Sequence, residues 1–250
     1  MSGHSHWATI KRSKGAADAK RGKLFSKLAR AIIIAAKHGG GDPDMNLKLR
    51  YAIDKARQAS MPKDNIDRAI KRGTGEGDAA HFEEIAYEGY GPGGVAVYVE
   101  VTTDNRNRTA GEVRKIFERS GGKMGAQGAV AYLFERKGLL LVDVKTAEED
   151  RLMELALEAG ADDLKHTGDH FEITCDPAHF HAVQEALAKY NIATSSAEVT
   201  QLPKAPMDVD PETAGKVLRM MDALDEHDDV QNVYSTLNIT EEAMAAMGKG

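Results

Sequence analysis

The stretch Leu139-Leu140-Leu141-Val142-Asp143-Val144 is a short apolar run whose length predicts a buried β-strand. The residues that follow this strand show helical and strand periodicities of hydrophobic residues, one after another. We expect a helix over 147–159, two strands over 163–167 and 171–175, a second helix over 177–190 and a last strand over 195–202. The order β-α-β-β-α-β is the ferredoxin-like pattern, in which both helices cover one face of an antiparallel sheet.

The segment before this unit predicts a second sheet that is incomplete. Its predicted elements are strands over 84–90 and 95–101, a helix over 107–120 with Thr109 as its N-cap, and a strand over 129–134. This β-β-α-β order is one helix and one strand short. A helical pattern over 211–225 and a strand pattern over 230–239 can supply the missing elements, so we expect a discontinuous domain.

The N-terminal part of the chain predicts a helical bundle. Apolar residues recur at helical spacing at Leu24, Leu28, Ala31, Ile32 and Ala35. Glycines at 39–41 end this helix, a second helix is expected to end near Ser60, and Pro62 suits the first turn of a third. The glycine-rich stretch 73–77 then predicts a flexible boundary.

The predicted fold class is therefore α+β with three domains. An N-terminal helical bundle precedes two α/β sandwich domains of ferredoxin-like type, and the third domain is inserted into the second. The predicted boundaries are 1–76 for a basic helical domain, 77–134 plus 204–250 for the discontinuous domain, and 135–203 for the inserted domain. Pro203 and Pro206 mark the linker that follows the insertion.

Charge is distributed very unevenly along the chain. The 250 residues hold 33 Lys and Arg against 39 Asp and Glu, a net charge of −6. Residues 1–72 alone hold 17 basic against 6 acidic side chains, a local net charge of +11, whereas the remainder holds 16 against 33, or −17. This segregation indicates a basic region that binds a polyanion and an acidic body that does not bind it indiscriminately.

Composition excludes several classes of protein. Hydrophobic residues make up 42% and charged residues 29%, as in an ordinary folded globular protein. The longest apolar candidate, 31–36, is far shorter than a membrane span. The first seven residues lack the apolar core of a secretion signal, and the single cysteine, Cys175, cannot form an internal disulfide. We therefore expect a cytoplasmic protein with no membrane partner.

No motif in the sequence predicts catalysis. The glycine-rich stretches 89–94 and 121–128 lack the strand-to-helix context of a phosphate-binding loop. The histidine pairs at 4 and 6 and at 179 and 181 have no third ligand, and Cys175 alternates with core residues of a predicted strand. The acidic runs 148–150 and 225–229 are interpreted as solvated helix ends. We expect a protein that is not an enzyme, with no catalytic residue, cofactor, metal or small-molecule substrate.

The candidate binding residues are basic. The first group is Lys11, Arg12, Lys14, Lys20, Arg21, Lys23, Lys27 and Arg30, of which four recur along one helix face. Such a stripe suits phosphates better than base edges. Trp7 precedes the group and either stacks on a base or anchors packing, packing being commoner for a lone terminal tryptophan. Arg106 and Arg108 form a second group that either positions a phosphate backbone or belongs to a capped helix with exposed charges.

Several motifs in fixed order resemble the YebC/PmpR family across essentially the whole chain. They are Gly3-His4-Ser5-His6-Trp7-Ala8-Thr9-Ile10-Lys11, residues 18–28, Met61-Pro62-Lys63-Asp64-Asn65, the turn 87–92, and Thr103-Asp104-Asn105-Arg106-Asn107-Arg108-Thr109. The sequence departs from the family pattern at His6, where lysine is usual, and at Arg12-Ser13. Imidazole at position 6 makes any phosphate contact there weaker or pH-dependent.

The resemblance implies three domains and a non-enzymatic regulator of gene expression. Members have been described as DNA-binding transcriptional regulators and as translation factors on ribosomes, including a related mitochondrial translational activator. We expect a DNA-binding transcriptional regulator, with a ribosome-associated factor that binds ribosomal RNA and relieves stalling as the alternative. The expected partners are DNA or ribosomal RNA, and a ribosome or another protein contacted by the acidic domains.

Overall fold

The computed structural model describes residues 18–75 and 82–240. It confirms the predicted fold class, since an N-terminal helical region is followed by two four-stranded antiparallel sheets with helices packed on them. Within the described residues, no helix is both long enough and apolar enough to cross a lipid bilayer.

Seven helices and eight strands lie within the described residues. The helices are α1 (Asp18–Gly39), α2 (Leu47–Gln58), α3 (Lys63–Gly73), α4 (Arg106–Arg119), α5 (Glu149–Glu158), α6 (Phe180–Lys189) and α7 (Pro211–Asp225). The strands are β1 (Glu83–Tyr90), β2 (Ala96–Thr103), β3 (Lys123–Met124), β4 (Phe134–Asp143), β5 (Ala161–Thr167), β6 (His170–Cys175), β7 (Thr194–Pro203) and β8 (Val230–Ser235).

The three N-terminal helices share one apolar core. Ile32 of α1, Leu49 and Ile53 of α2 and Ile66 of α3 are buried in it. Leu24 was expected on the packed face but is 41% exposed, because the apolar cluster of the three helices begins one residue later along α1.

Asn46 joins the end of α1 to the start of α2. Its side-chain oxygen accepts from the backbone N–H of Leu49 at 3.1 Å, and its amide nitrogen donates to the carbonyls of Ala35 and Gly40, both at 2.8 Å. One side chain thus satisfies an unpaired donor at a helix start and two carbonyls where the preceding helix ends.

The first sheet has the strand order β3-β1-β2-β8. Strand β8 pairs antiparallel with β2, with Val233 opposite Val99. Helices α4 and α7 contribute Phe117 and Leu218 to the core that this sheet buries. The last helix and strand therefore complete a sheet that begins more than a hundred residues earlier, which supports the proposed discontinuous domain, although its boundaries stay a prediction.

The prediction of a strand over 129–134 is wrong. Residues 131–133 form a short 3-10 turn, and the third strand of the first sheet is the two-residue β3. The buried carboxylate of Glu88 accepts hydrogen bonds from the backbone N–H groups of Gly128, Val130 and Ala131 at 2.7–2.8 Å. Burial raises the pKa of Glu88, but these three bonds outweigh it and lower the pKa. Donors held by a carboxylate cannot form a strand ladder.

Strand β3 fits against β1 because Gly89 has no side chain. A Cβ atom at Gly89 would lie 2.6 Å from the carbonyl oxygen of Lys123 and 2.6 Å from a ring carbon of Phe117. Any larger residue would push β3 away from the sheet, so this glycine is required by close approach rather than by its backbone angles.

The second sheet has the strand order β5-β6-β4-β7, and all its pairs are antiparallel. Helices α5 and α6 pack on one face, where Leu152 and Val183 meet Leu140 and Ile173. This is the predicted ferredoxin-like arrangement. Its first strand is longer than expected, since β4 begins at Phe134, which lies opposite Pro203 of β7.

The helical region contacts the second sheet through α2. The hydroxyl of Tyr51 donates to the carbonyl of Pro177 at 3.1 Å, and its ring meets Phe180 edge-on with centroids 5.4 Å apart. Lys55 lies 3.4 Å from Glu198 of β7. From this side, the hydrogen bond and ring contact of Tyr51 and the ion pair of Lys55 therefore orient the helical region.

We expect residues 135–203, expressed alone, to fold and to bind no nucleic acid. All four strands and both helices of the second sheet begin and end within this range, apart from the first residue of β4. Circular dichroism and resistance to limited proteolysis measure folding. A protease-sensitive, unfolded chain would refute the boundaries of the inserted domain.

Glu172 generates a pH-dependent prediction. Burial raises its pKa to about 7, and within the described residues its Oε1 atom has no hydrogen-bond partner. The folded protein therefore holds this proton more tightly than the unfolded chain, and stability falls as the pH rises from the unfolded pKa to about 7. We expect Glu172→Gln to raise the free energy of unfolding by about 2 kcal/mol near pH 8 and by almost nothing near pH 4.

Urea unfolding at the two pH values measures this effect. Glu158→Gln, an exposed change in the same domain, serves as the matched control and should shift neither curve. Equal stability of wild type and Glu172→Gln near pH 8 would contradict the buried, ionised carboxylate.

Candidate nucleic-acid interface

The loop 225–229, which starts at the last residue of α7 and leads into β8, lies against the basic side of α1. Lys27 donates to the backbone carbonyl of Asp225, and its ammonium lies 3.8 Å from the carboxylate of the same residue. Lys23 lies 3.4 Å from the carboxylate of Asp228. Three successive positions of the predicted stripe, Lys23, Lys27 and Arg30, therefore meet this loop.

Arg30 makes the innermost of these contacts. Its Nη1 atom donates to the carbonyl of Asp228 at 2.6 Å and to Oδ1 of Asp229 at 2.9 Å. The guanidinium also lies 5.6 Å from the ring centroid of Phe82, in cation–π geometry. The aromatic ring and the carboxylate together hold Arg30 between the helical region and the first sheet.

Asp229 collects donors from three elements. Its Oδ2 atom accepts from Arg108 Nη2 and from the Thr109 hydroxyl, both at 2.7 Å, and from the Thr103 hydroxyl at 3.2 Å. Only 4% of its side chain is exposed. The bonds from β2, α4 and α1 compensate the loss of hydration that a buried carboxylate would otherwise suffer.

These contacts keep Asp229 ionised. Burial alone would raise the pKa of its carboxyl group. The hydrogen bonds from Thr109 and Arg108 and the positive charge of Arg30 act the other way and lower the pKa below its ordinary value. The carboxylate is therefore charged at neutral pH and pairs with two guanidinium groups at once.

His227 holds the loop on its other side. Its Nδ1 atom accepts from the backbone N–H of Asp229 at 3.1 Å, and its Nε2 atom lies 2.9 Å from Oε2 of Glu112 on α4. Because Nδ1 accepts, the ring proton lies on Nε2 and is donated to Glu112. The loop is thus attached to α4 through His227 and to α1 through the basic stripe.

An open cleft of about 610 Å³ lies where α1, α4 and the loop meet. Its cationic lining residues are Lys23, Arg30, Arg108, Lys115 and Arg119, and its anionic ones are Asp104, Glu112, Glu226, Asp228 and Asp229. Five positive charges face five negative ones. In this arrangement the cleft has no excess of positive charge for a polyanion.

The predicted binding residues fall into three groups. Trp7, Lys11, Arg12, Lys14 and the side chain of Lys20 lie outside the described part of the chain. Three residues of the stripe contact the acidic loop, namely Lys23, Lys27 and Arg30. Arg108, which lies on α4, contacts the same loop. Arg21 and Arg106 are exposed and are not brought to the cleft by the fold.

Two sequence-based interpretations at this site are wrong. Thr109 is not the N-cap of α4, since the side chain of Asn105 accepts from the N–H of Arg108 at 3.1 Å and Thr109 bonds Asp229 instead. Asp229 is not part of a solvated helix end, because it is buried under α1 and α4. The sequence interpretation of Arg106 and Arg108, as groups that position a phosphate backbone or as exposed charges of a capped helix, did not anticipate the pairing of Arg108 with Asp229.

Fold and site together define a protein class. The molecule is an α+β protein in which a basic helical region contacts two antiparallel α/β units. Within the described residues no group of three or more His, Cys, Asp or Glu side chains is placed to hold a metal ion.

The family model for the TACO1/YebC N-terminal domain matches residues 5–76, and the model for the second and third domains matches 82–237. The chain belongs to the TACO1/YebC family.

Relatives match along nearly the whole chain. A protein of Rubrobacter xylanophilus is 56% identical over 98% of both chains, and one of Treponema denticola is 56% identical over 96% of this chain and 98% of its own. Both are named probable transcriptional regulatory protein. The crystal structure of a conserved hypothetical protein from Aquifex aeolicus is 48% identical, with a TM-score of 0.79 over 90% of this chain and 93% of its own.

The buried carboxylate generates a stability prediction. We expect Asp229→Asn to lower the free energy of unfolding by about 3 kcal/mol at neutral pH, because two guanidinium groups lose their charged partner. Since the folded-state pKa is lowered, this stability exists above the unfolded pKa and is lost as the pH falls through the lowered value. The difference between variant and wild type should therefore shrink in acid. Urea unfolding across the acidic range measures it.

Asp228→Asn is the matched control. That carboxylate is 65% exposed and pairs with Lys23, which is 59% exposed, so the loss should stay below about 1 kcal/mol. Equal effects of the two substitutions would contradict the central role of Asp229.

Proposed function

We propose that this protein is a nucleic-acid-binding regulator of gene expression, with DNA as its target. The observation that carries the proposal is the segregation of charge, with a net of +11 in residues 1–72 and −17 in the remainder. Lys and Arg concentrated in one domain form the electrostatic footprint that nucleic-acid-binding proteins use. The relatives' shared name, probable transcriptional regulatory protein, supports a role in regulation.

The basic side chains favour contact with the phosphate backbone over base recognition. The stripe on α1 is rich in lysine, whose flexible ammonium pairs with phosphate as a point charge. Readers of base edges in the major groove use Arg, Asn or Gln on a recognition helix. Binding through the backbone positions a protein on the duplex and depends strongly on salt.

Helix α4 supplies a second basic surface beside the stripe. Arg106, Arg114, Lys115 and Arg119 are all exposed along it, and two of them line the cleft next to α1. A duplex that lies along α1 would therefore meet further cations on α4. Lys115 and Arg119 therefore extend the proposed interface from the stripe on α1 to α4.

We expect the combined substitution Lys20→Ala, Lys23→Ala and Lys27→Ala to weaken binding of duplex DNA. Each lost phosphate contact should reduce the slope of log affinity against log salt by about one, so the slope should fall by up to about three. Fluorescence anisotropy across a salt series measures both quantities. In growing cells, crosslinking of the tagged protein followed by sequencing should enrich promoter DNA with the wild type and less with the variant.

The matched control removes three exposed lysines from elsewhere, Lys165→Ala, Lys189→Ala and Lys204→Ala, and should leave the slope unchanged. Circular dichroism checks that both variants fold. An unchanged salt slope in the stripe variant would eliminate the stripe as the binding surface. A sharp crosslinking peak in ribosomal RNA would replace DNA by the ribosome as the target.

A further inference from the structure

The basic stripe that the proposed function assigns to nucleic acid is covered by the protein's own carboxylates. Asp225, Asp228 and Asp229 meet Lys27, Lys23 and Arg30, which lie three to four residues apart on α1. Side chains at this spacing form one row on a helix surface. The loop therefore presents a row of negative charges to a row of positive charges, as a nucleic-acid strand would.

The position of Asp225 is unfavourable for α7, whose last residue it is. The last turn of α7 contains no basic residue, and Asp225 and Glu226 stand at its C-terminal end, where the helix dipole repels negative charge. Local preference would place lysine or arginine there. Asp225 gains its compensation across the interface from Lys27 of α1, which indicates that the contact, rather than the helix, accounts for its placement.

The contact combines a fixed part with a part that can open. Asp229 is held within its own unit by Arg108, Thr109 and Thr103, so it stays paired if Arg30 leaves. The pair between Lys23 and Asp228 is exposed on both sides, and such pairs contribute little and weaken with salt. The pairs of Lys27 with Asp225 and of Arg30 with Asp229 are more buried, so a polyanion that displaces them must replace both contacts with its own phosphates. Asp229 keeps its other partners when this happens.

We propose that the loop 225–229 is an internal competitor that occupies the basic face of α1 and that nucleic acid displaces it on binding. This inference rests on the proposed function, because it describes how the same basic face is controlled. The loop lowers the apparent affinity by the free energy needed to break its contacts with α1. Weak, non-specific polyanions are rejected, whereas a target that also reaches α4 outcompetes the loop.

The test neutralises the outer carboxylates and leaves Asp229 intact. Asp225→Asn with Asp228→Asn should bind a short duplex DNA about fivefold more tightly than wild type at low salt, since the loop loses one exposed and one more buried ion pair with α1. The bond from Lys27 to the backbone carbonyl of Asp225 remains in this variant. The gain should disappear when Lys23→Ala and Lys27→Ala are added, because the loop then has no stripe to cover. Anisotropy titrations compare four proteins, which together form a double-mutant cycle. They are the wild type, the loop variant, the variant with Lys23→Ala and Lys27→Ala, and the variant that carries all four substitutions.

A control with the same change in net charge separates competition from general repulsion. Asp150→Asn with Asp169→Asn removes two exposed carboxylates from the inserted domain and should change the affinity less than twofold. Two outcomes would overturn the proposal that the loop competes with nucleic acid. One is a gain in affinity in the loop variant that is no larger than the gain in this control. The other is a gain in affinity that persists without Lys23 and Lys27.

Amide hydrogen exchange on the wild-type protein provides a second readout that needs no variant. Addition of duplex DNA should speed exchange in residues 225–229 as the loop leaves α1. Binding without faster exchange there would overturn the proposed competition while leaving the proposed function intact. A failure of the wild type and every variant to bind duplex DNA would instead refute the proposed DNA target, and the competitor with it.

Discussion

The buried carboxylate of Asp229 is the interaction on which the arrangement of the N-terminal half depends. A charge removed from water is tolerated only where partners replace its hydration. Here the partners come from β2, α4 and α1, so these three elements must converge on the start of β8. The helical region is consequently held against the first sheet by Arg30, and from the other side against the second sheet by Tyr51.

The convergence of these elements on Asp229 changes what the uneven distribution of charge along the chain implies for binding. Along the chain, basic residues gather in the first 72 positions and acidic residues in the rest. In space, the cleft between α1 and α4 is formally balanced, because the loop 225–229 brings carboxylates back to the basic stripe. Opposite charges segregated in a sequence attract each other in the folded molecule, and an external polyanion must compete with that attraction.

Two of the errors in the sequence-based prediction share one physical origin. Residues 129–134 have the composition of a strand, yet Glu88 captures their backbone donors from 40 or more positions away. Thr109 has the chemistry of a cap, yet Asp229 binds its hydroxyl from 120 positions away. A carboxylate that bonds distant backbone or hydroxyl groups leaves no periodic signal, so such contacts are invisible to spacing and propensity.

The sequence by itself determined the three-part order of elements, the ferredoxin-like unit, the return of the last helix and strand to the first sheet, and the basic character of α1. All of these follow from periodicities of two and 3.6 residues and from local composition, which are properties of neighbouring positions. Only the tertiary structure decided that Lys23, Lys27 and Arg30 face Asp225, Asp228 and Asp229. Those contacts join residues about 200 positions apart, and the packing of whole elements, not local preference, brings them within bonding distance.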